Sequence, residues 1–256
     1  MSAYELLLPL GASGFYLLDS TMLLYSNEML LQCGERWSFA AGFNFFLAGR
    51  RLWMPNPFAP QHALFRVAWS ESDRRATKES PAQLAMFIAA LGPLRMLVVV
   101  MLVLLIVGLP LSALIFGAGS AMLGVIAAYY LTVLLALALI YVRRAPLGLT
   151  RRDLWATAFD ALACPPFAVN LLRKLCLRRS IAGNPLAFAR DALAQADFAR
   201  LQTLICARVE GEMQGATENS PRWHSLQAFR AYLENLNQPQ PQADPAQELT
   251  PCPLTK

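Results

Sequence analysis

The chain has 256 residues, 56% of them hydrophobic and 15% charged, with a net charge of +5 and a mean hydropathy of +0.39. These proportions argue against an ordinary soluble domain. The arginines cluster beside apolar segments, which fits orientation in a membrane and anionic headgroups better than nucleic acid, for which no reader motif is present.

The chain opens with an apolar stretch from Tyr4 to Leu24, about the length of one membrane crossing. It lacks the positive start and the small-residue cleavage site of a signal peptide, so we expect a retained transmembrane helix. An alternative ends the helix near Leu18 and makes Thr21 to Tyr25 and Glu28 to Gln32 the two strands of a hairpin.

Asp19 lies toward the inner end of this stretch. Ionisable groups inside membrane segments are costly enough to indicate function, so we hypothesise a proton or ligand role for Asp19, with Glu28 as the nearest second carboxylate. The structural alternative is that Asp19 reaches the cytoplasmic headgroups or caps the end of the helix.

Residues 27–79 contain short runs of aromatic and β-branched side chains separated by Gly and Pro, which predicts a small antiparallel sheet. Pro55 to Pro60 cannot continue a central strand, because proline donates no ladder hydrogen bond. The aromatic side chains predict a compact aromatic core; alternatively, some rest on headgroups or on a partner protein. They are Trp37, Phe39, Phe43, Phe45, Phe46, Trp53, Phe58, Phe65 and Trp69.

Ser80 and Pro81 resemble a helix start, and the run that follows to Leu91 is apolar and carries almost no charge. A solvated surface helix would carry more polar residues. We therefore expect residues 80–94 to form a helix in the membrane interface.

No charged side chain occurs between Arg95 and Arg143. A bilayer core is about 30 Å thick and a helix rises about 1.5 Å per residue, so this run is long enough for two crossings. Phe116 to Ser120 predicts the turn of a transmembrane hairpin, and Gly108 with Pro110 predicts a kink in its first helix.

Arg95, Arg143 and Arg144 flank the hairpin, and its turn carries no cation. Lys and Arg near membrane segments remain on the cytoplasmic side, so these three residues are predicted topology anchors. The carboxyl terminus is then cytoplasmic, and the expected location is a bacterial inner membrane.

Residues 144–236 show the spacing of amphipathic helices, the first with Thr150 as its N-cap. After Pro165 and Pro166, a basic edge predicts contact with anionic lipid; it consists of Arg173, Lys174, Arg178 and Arg179. A helix that begins at Pro185 and ends near Gly211 or Gly215 is predicted to pack against another that begins at Pro221.

The residues that could carry chemistry form no recognisable constellation. There are two histidines, His62 and His224, neither at a metal-ligand spacing, and five cysteines without a CxxC pair. We expect free thiols, no metal and no cofactor. Phosphate-loop, dinucleotide and nucleophile-elbow motifs do not occur in the sequence.

The sequence predicts an α-helical integral membrane protein with a transmembrane hairpin, an N-terminal transmembrane helix, a small cytoplasmic β-rich segment and cytoplasmic amphipathic helices. The divisions are an N-terminal transmembrane helix (1–26), a β-rich aromatic segment (27–79), an interfacial helix (80–94), the hairpin (95–143), the amphipathic helices (144–236) and a disordered tail (237–256).

A membrane-anchored accessory or scaffold subunit fits this organisation best. The alternatives are an oligomeric transporter or channel component and a membrane-surface enzyme. The expected partners are the bilayer with its anionic headgroups and another membrane or cytoplasmic protein, with a homo-oligomer as a further arrangement.

Overall fold

The structure, a computed structural model, describes residues 3–34, 36–43, 45–68, 81–116, 119–179 and 185–236. It begins with helix α1 (Ala3–Ser20), and strand β1 (Met22–Leu24) follows directly. The first helix therefore ends at Ser20, before the end of the membrane crossing that was predicted to reach Leu24. The hydroxyl of Thr21 donates to the Leu18 carbonyl at 2.7 Å, which satisfies one acceptor of the last helical turn.

Among the described residues, six strands form two antiparallel sheets of three strands each, in the orders β1-β5-β4 and β3-β2-β6. After β1 these strands are β2 (Glu28–Cys33), β3 (Trp37–Ala40), β4 (Phe46–Leu47), β5 (Arg50–Trp53) and β6 (Ala63–Ala68). The small antiparallel β segment predicted from the sequence is thus present.

The alternative of a hairpin between β1 and β2 is right about the strands and wrong about their pairing. The chain turns at Ser26 and Asn27, but β1 pairs with β5, whereas β2 pairs with β3 and β6. Strand β2 is buried along nearly its whole length. Such burial is typical of a central strand that has a neighbour on each side.

Helix α2 (Pro81–Ala90) packs one side on the protein core, whereas Met86 on its other side is 63% exposed. Leu84, Phe87 and Ile88 are buried, and the Phe87 ring meets the edge of Phe65 at 6.1 Å. One side of α2 therefore faces the protein core, and the placement of this helix in the membrane interface stays a prediction.

Three segments form the first limb of the hairpin: α3 (Gly92–Val103), a π-helical segment (Leu104–Gly108) and α4 (Leu109–Phe116). Helix α5 (Ser120–Val142) returns along it and packs on both α3 and α4. The irregularity occurs where Gly108 and Pro110 predicted a kink. The amide of Leu109 donates to the Leu104 carbonyl, five residues back, which is the π-helical pattern.

Among the described residues, two helical runs are long and apolar enough to cross a membrane, Gly92–Phe116 and Ser120–Val142. Only 39% and 28% of their most apolar stretches are buried inside the protein. The core helix of a soluble protein would be mostly buried. The fold is thus helical, with two candidate membrane-spanning helices and a small β segment.

In the part of the chain that the structure describes, six helices follow the hairpin: α6 (Arg151–Ala163), α7 (Pro165–Ala168), α8 (Leu171–Arg178), α9 (Pro185–Ala192), α10 (Gln195–Gly215) and α11 (Pro221–Leu236). The single helix predicted from Pro185 to Gly211 is two, because the chain is extended at Ala194. The predicted packing of the last two helices is confirmed, with Leu226 and Leu233 of α11 buried. The predicted tail, 237–256, lies outside the described residues.

Helix α8 is an internal element, although the sequence predicts a surface helix. Leu171, Leu172 and Leu175 are fully buried where α8 packs on β6 and α3. The apolar stripe that predicted contact with the membrane surface is used to close the protein core.

Thr150 caps α6, as the sequence predicts. Its hydroxyl accepts from the Asp153 amide at 3.2 Å, and the Asp153 carboxylate accepts from the Thr150 amide at 3.1 Å. This is a complete capping box. The hydrogen bonds from Thr150 hold the pKa of Asp153 below its usual value.

Thr150→Ala is expected to destabilise the first turn of α6 by about 1 kcal/mol, because one amide loses its acceptor. Hydrogen exchange of that turn should then be about fivefold faster. In the unmodified protein the cap should weaken as the pH falls through the lowered pKa of Asp153. The matched control is Thr203→Ala, since Thr203 bonds only within α10. Equal effects of the two substitutions would contradict the cap.

Candidate functional site

Arg173 is a buried residue of α8 that contacts the proline-rich segment 55–60. Its guanidinium donates to the carbonyls of Asn56 and Ala59, both at 2.7 Å, and to the Asn170 side chain at 3.2 Å. Burial lowers the pKa of Arg173, but an arginine stays charged at neutral pH. The expected contact of Arg173 with anionic lipid is therefore wrong, because only 4% of the residue is exposed.

Asp19 has a counter-ion in Lys174, whose ammonium lies 2.9 Å from the carboxylate. Asn170 donates a further hydrogen bond to Asp19 at 3.0 Å, and Lys174 also lies over the Phe167 ring at 4.4 Å. The carboxylate that the sequence singles out thus ties the end of α1 to α8.

Glu28, the second speculative carboxylate, belongs to another part of the molecule. It lies 3.7 Å from the Arg66 guanidinium and accepts from the Tyr25 amide at 3.0 Å. The structure joins Asp19 and Glu28 to separate partners, and a joint proton or ligand role stays a prediction.

The two other basic residues of the predicted lipid-contact edge also have protein partners. Arg178 is exposed and donates to the Thr157 hydroxyl at 2.7 Å and to the Asp153 carbonyl at 3.1 Å. Arg179 lies over the Phe87 ring at 4.4 Å. Contact of Arg178 and Arg179 with anionic lipid stays a prediction.

The predicted topology anchors lie at the base of the hairpin, the end opposite its turn. Arg95 donates to the Cys33 carbonyl at 3.3 Å, and Arg143 donates to the Ala90 carbonyl at 3.1 Å. Arg144 lies over the Tyr141 ring at 5.2 Å. The arginines therefore connect the hairpin to the sheet and to α2, a role that sequence reasoning missed because carbonyl partners leave no sequence signal.

An apolar cavity of about 530 Å³ lies between α1, the middle of the hairpin and the corner that joins α6 to α7. The hydroxyl of Tyr129 closes one side by donating to the Pro165 carbonyl at 2.6 Å. A cavity of this size is within the range of ligand pockets. The sequence pattern did not indicate it, because its walls come from four separate segments.

The aromatic residues of the β-rich segment do not form one core. Trp53 and Phe65 are buried, whereas Phe58 is 75% exposed, and Trp69 lies outside the described residues. Four exposed apolar side chains lie in or just before β4, and we name this group the aromatic knob; they are Phe43 (55%), Phe45 (59%), Phe46 (55%) and Leu47 (51%). The predicted compact aromatic core is therefore wrong for this part.

The knob is built on a tight turn in which Ala48 and Gly49 both have positive φ, at 50° and 74°. Two positive φ values are typical of the turn that matches the twist of a two-residue hairpin. Strand β4 is the edge of its sheet, and the Arg51 guanidinium lies over the Phe46 ring at 4.4 Å. The knob is therefore a defined surface on an open sheet edge.

The cysteines differ from the expectation in one respect. Cys33 is disulfide-bonded, so the prediction of five free thiols is wrong, whereas Cys164, Cys176 and Cys206 are free. Burial raises the pKa of the Cys176 thiol to about 12, which leaves it unreactive. Within the described part of the chain, no group of three His, Cys, Asp or Glu residues could hold a metal ion.

Comparison of the chain with protein-family models, with curated proteins and with solved structures finds no match. The class of protein is accordingly defined by the fold itself, a helical protein with two candidate membrane-spanning helices and a small β segment.

Asp19→Asn is expected to destabilise the protein by about 1 to 2 kcal/mol, because Lys174 would lose its counter-ion at a largely buried position. Thermal unfolding in detergent measures the effect. The double variant with Lys174→Gln should recover part of the loss, since no charge is then left unpaired.

Glu234→Gln is the control, because Glu234 is exposed where it pairs with Arg230 and such pairs contribute only a few tenths of a kcal/mol. If the double variant is as unstable as the sum of the two single variants, the Asp19–Lys174 pair does not tie α1 to α8.

Proposed function

We propose that this protein is a membrane-anchored scaffold subunit that presents the aromatic knob to a partner protein. The hairpin of α3, α4 and α5 serves as the anchor, and the sheets with the C-terminal helices serve as the docking body. The proposal rests on the exposed phenylalanines at edge strand β4, which lie outside the membrane hairpin of α3, α4 and α5.

The anchor is supported by the length and exposure of its helices. A soluble protein that left most of two such apolar helices in water would expose a surface far larger than monomers tolerate. Lipid tails remove that cost, since each limb is about the length of the hydrocarbon core.

We place the base of the hairpin on the cytoplasmic side of a bacterial inner membrane. Arg95, Arg143 and Arg144 all lie at that end, and Gly119 and Ser120 at the other end carry no charge. The positive-inside tendency then puts the carboxyl terminus in the cytoplasm.

The docking role is supported by the physics of exposed sheet edges. A short edge strand with unpaired backbone groups and exposed rings is a template for addition of another chain. Arg50 and Arg51 stand directly opposite Leu47 and Phe46 on the neighbouring strand, so an acidic or aromatic partner segment would fit.

Neither alternative function receives comparable support. A channel needs free polar groups along its path, whereas the hydroxyls of Ser112 and Thr132 donate to carbonyls of their own limbs. A surface enzyme needs a nucleophile with a base, and the most buried free thiol, Cys176, is held protonated by burial.

The topology is tested with reporters. A reporter inserted after Gly119 should report the periplasm, because the turn is the uncharged end of the hairpin. The same reporter between α10 and α11, after Thr217, should report the cytoplasm. A cytoplasmic signal from Gly119, or protein that stays in solution after ultracentrifugation without detergent, would overturn the anchor.

The docking surface is tested with Phe45→Ser and Phe46→Ser in the full chain. Each ring is exposed, so the fold should be retained, while affinity for the stoichiometric partner isolated in mild detergent should fall about tenfold per ring. Phe58→Ser is the matched control, because Phe58 is exposed outside the knob. Equal losses from Phe58→Ser, or no loss from the knob variants, would count against docking through the knob.

A further inference from the structure

The cavity beside the hairpin has walls from four parts of the chain. Leu8 and Gly11 of α1 face Leu105 of the π-helical segment and Tyr129 of α5, and Ala163 lines it at the end of α6. The π-helical segment is the only one in the described part of the chain, and such segments occur frequently at functional sites. The site is thus built where the hairpin departs from regular geometry.

The depth of the cavity along the hairpin follows from α5. Tyr129 precedes Val142, the last residue of α5, by 13 positions, which is about 20 Å of helix. The Tyr129 hydroxyl bonds to the Pro165 carbonyl in the α6–α7 corner, so the corner is level with the interior of the hairpin. If the hairpin crosses a bilayer, the cavity lies within the hydrocarbon.

The outer side of helix α6 is mixed, because it exposes two rings together with the carboxylate of Asp160. Trp155 and Phe159, on its outer side, are 75% and 73% exposed. Thr157, on its inner side, is buried and bonded to Arg178. Lipid tails would cover the two rings, whereas the exposed carboxylate of Asp160 requires water or headgroups beside it.

The lining of the cavity is apolar and has few polar groups with which to recognise a ligand. Its most buried polar side chain, Tyr129, already donates its hydroxyl hydrogen to the Pro165 carbonyl. The mouth is bordered by Leu7, Leu8 and Phe15, which are 61%, 50% and 55% exposed. An occupant must therefore be a hydrocarbon that enters from the side occupied by lipid.

We propose that this cavity binds one acyl chain of a bilayer phospholipid. The inference rests on the anchoring hairpin of the proposed function. Arg151 and Arg152 are exposed at the first turn of α6, and the cavity lies at its other end, about 20 Å away. That separation, with positive charge at one end and an apolar cavity at the other, matches an anionic headgroup and its chain.

Two glycines of α1 provide a matched test. A Cβ atom added at Gly11 or at Gly14 would meet no other atom within 4 Å, so both positions accept a side chain. Gly11 lines the cavity, whereas Gly14 does not. Gly11→Phe should fill the cavity and Gly14→Phe should leave it open, with the same gain in side-chain volume on the same helix.

The experiment measures phospholipid retained by the full chain. The protein is reconstituted in nanodiscs of phosphatidylethanolamine and phosphatidylglycerol, transferred to mild detergent, and examined by native mass spectrometry. The unmodified protein and Gly14→Phe should retain one phospholipid, and Gly11→Phe should retain at least fivefold less. Ala163→Phe fills the cavity from the opposite wall and provides a second variant in case Gly11→Phe fails to fold.

The adduct mass identifies the occupant. A fatty-acid or detergent adduct alone, a second copy of the chain in place of lipid, or equal phospholipid retention in Gly11→Phe and Ala163→Phe would each overturn the proposal. Protein that never enters the nanodiscs would instead overturn the anchoring hairpin itself. The two failures are therefore distinguishable.

Discussion

The structure depends on how the hairpin divides its apolar surface between protein and lipid. One side of each limb is buried, by residues such as Val98 on α3 and Val133 and Ala136 on α5. The other side stays exposed along the length of the limbs, as at Val103 and Leu134. Burial of apolar area is the main favourable contribution to folding, so the exposed side needs a second apolar environment. Helices α1, α2, α6, α7 and α8 pack on the side that the protein covers.

Buried polar groups hold the covering elements in register. Arg173 satisfies carbonyls of the proline-rich segment, and the Asp19–Lys174 pair joins α1 to α8. A buried charge without partners would cost several kcal/mol, so these contacts limit where α1, α8 and the segment can lie. Arg208 has the same role on the far side, where it donates to the carbonyls of Ser26 and Glu28 and so joins α10 to the strands.

Two apolar features remain after the core is assembled, and they differ in position. The aromatic knob stands on a sheet edge outside the hairpin, whereas the cavity opens beside the hairpin between α1 and the α6–α7 corner. The first suits a protein partner because it combines rings with an edge strand that has a neighbour on one side only among the described strands. The second suits a lipid chain because it is concave, apolar and level with the interior of the hairpin. The proposed scaffold would therefore bind a protein partner on its water-exposed side and a lipid chain on its side in the bilayer.

The sequence alone determined those elements that a run of neighbouring residues encodes. The uncharged run between Arg95 and Arg143 predicted the two apolar helices, and Thr150 predicted the start of α6 through its capping box. Charge exclusion and capping act over a few neighbouring residues, so the sequence records them directly.

Only the tertiary structure decided which surface each apolar stripe meets. The stripe of α8 predicted a membrane surface and is buried against β6 and α3, while Trp155 and Phe159 of α6 face outward. Periodicity shows that a helix has an apolar side but not what that side contacts. The same holds for Asp19 and Arg173, because a partner some 150 residues away, or a backbone carbonyl, leaves no mark in the local sequence.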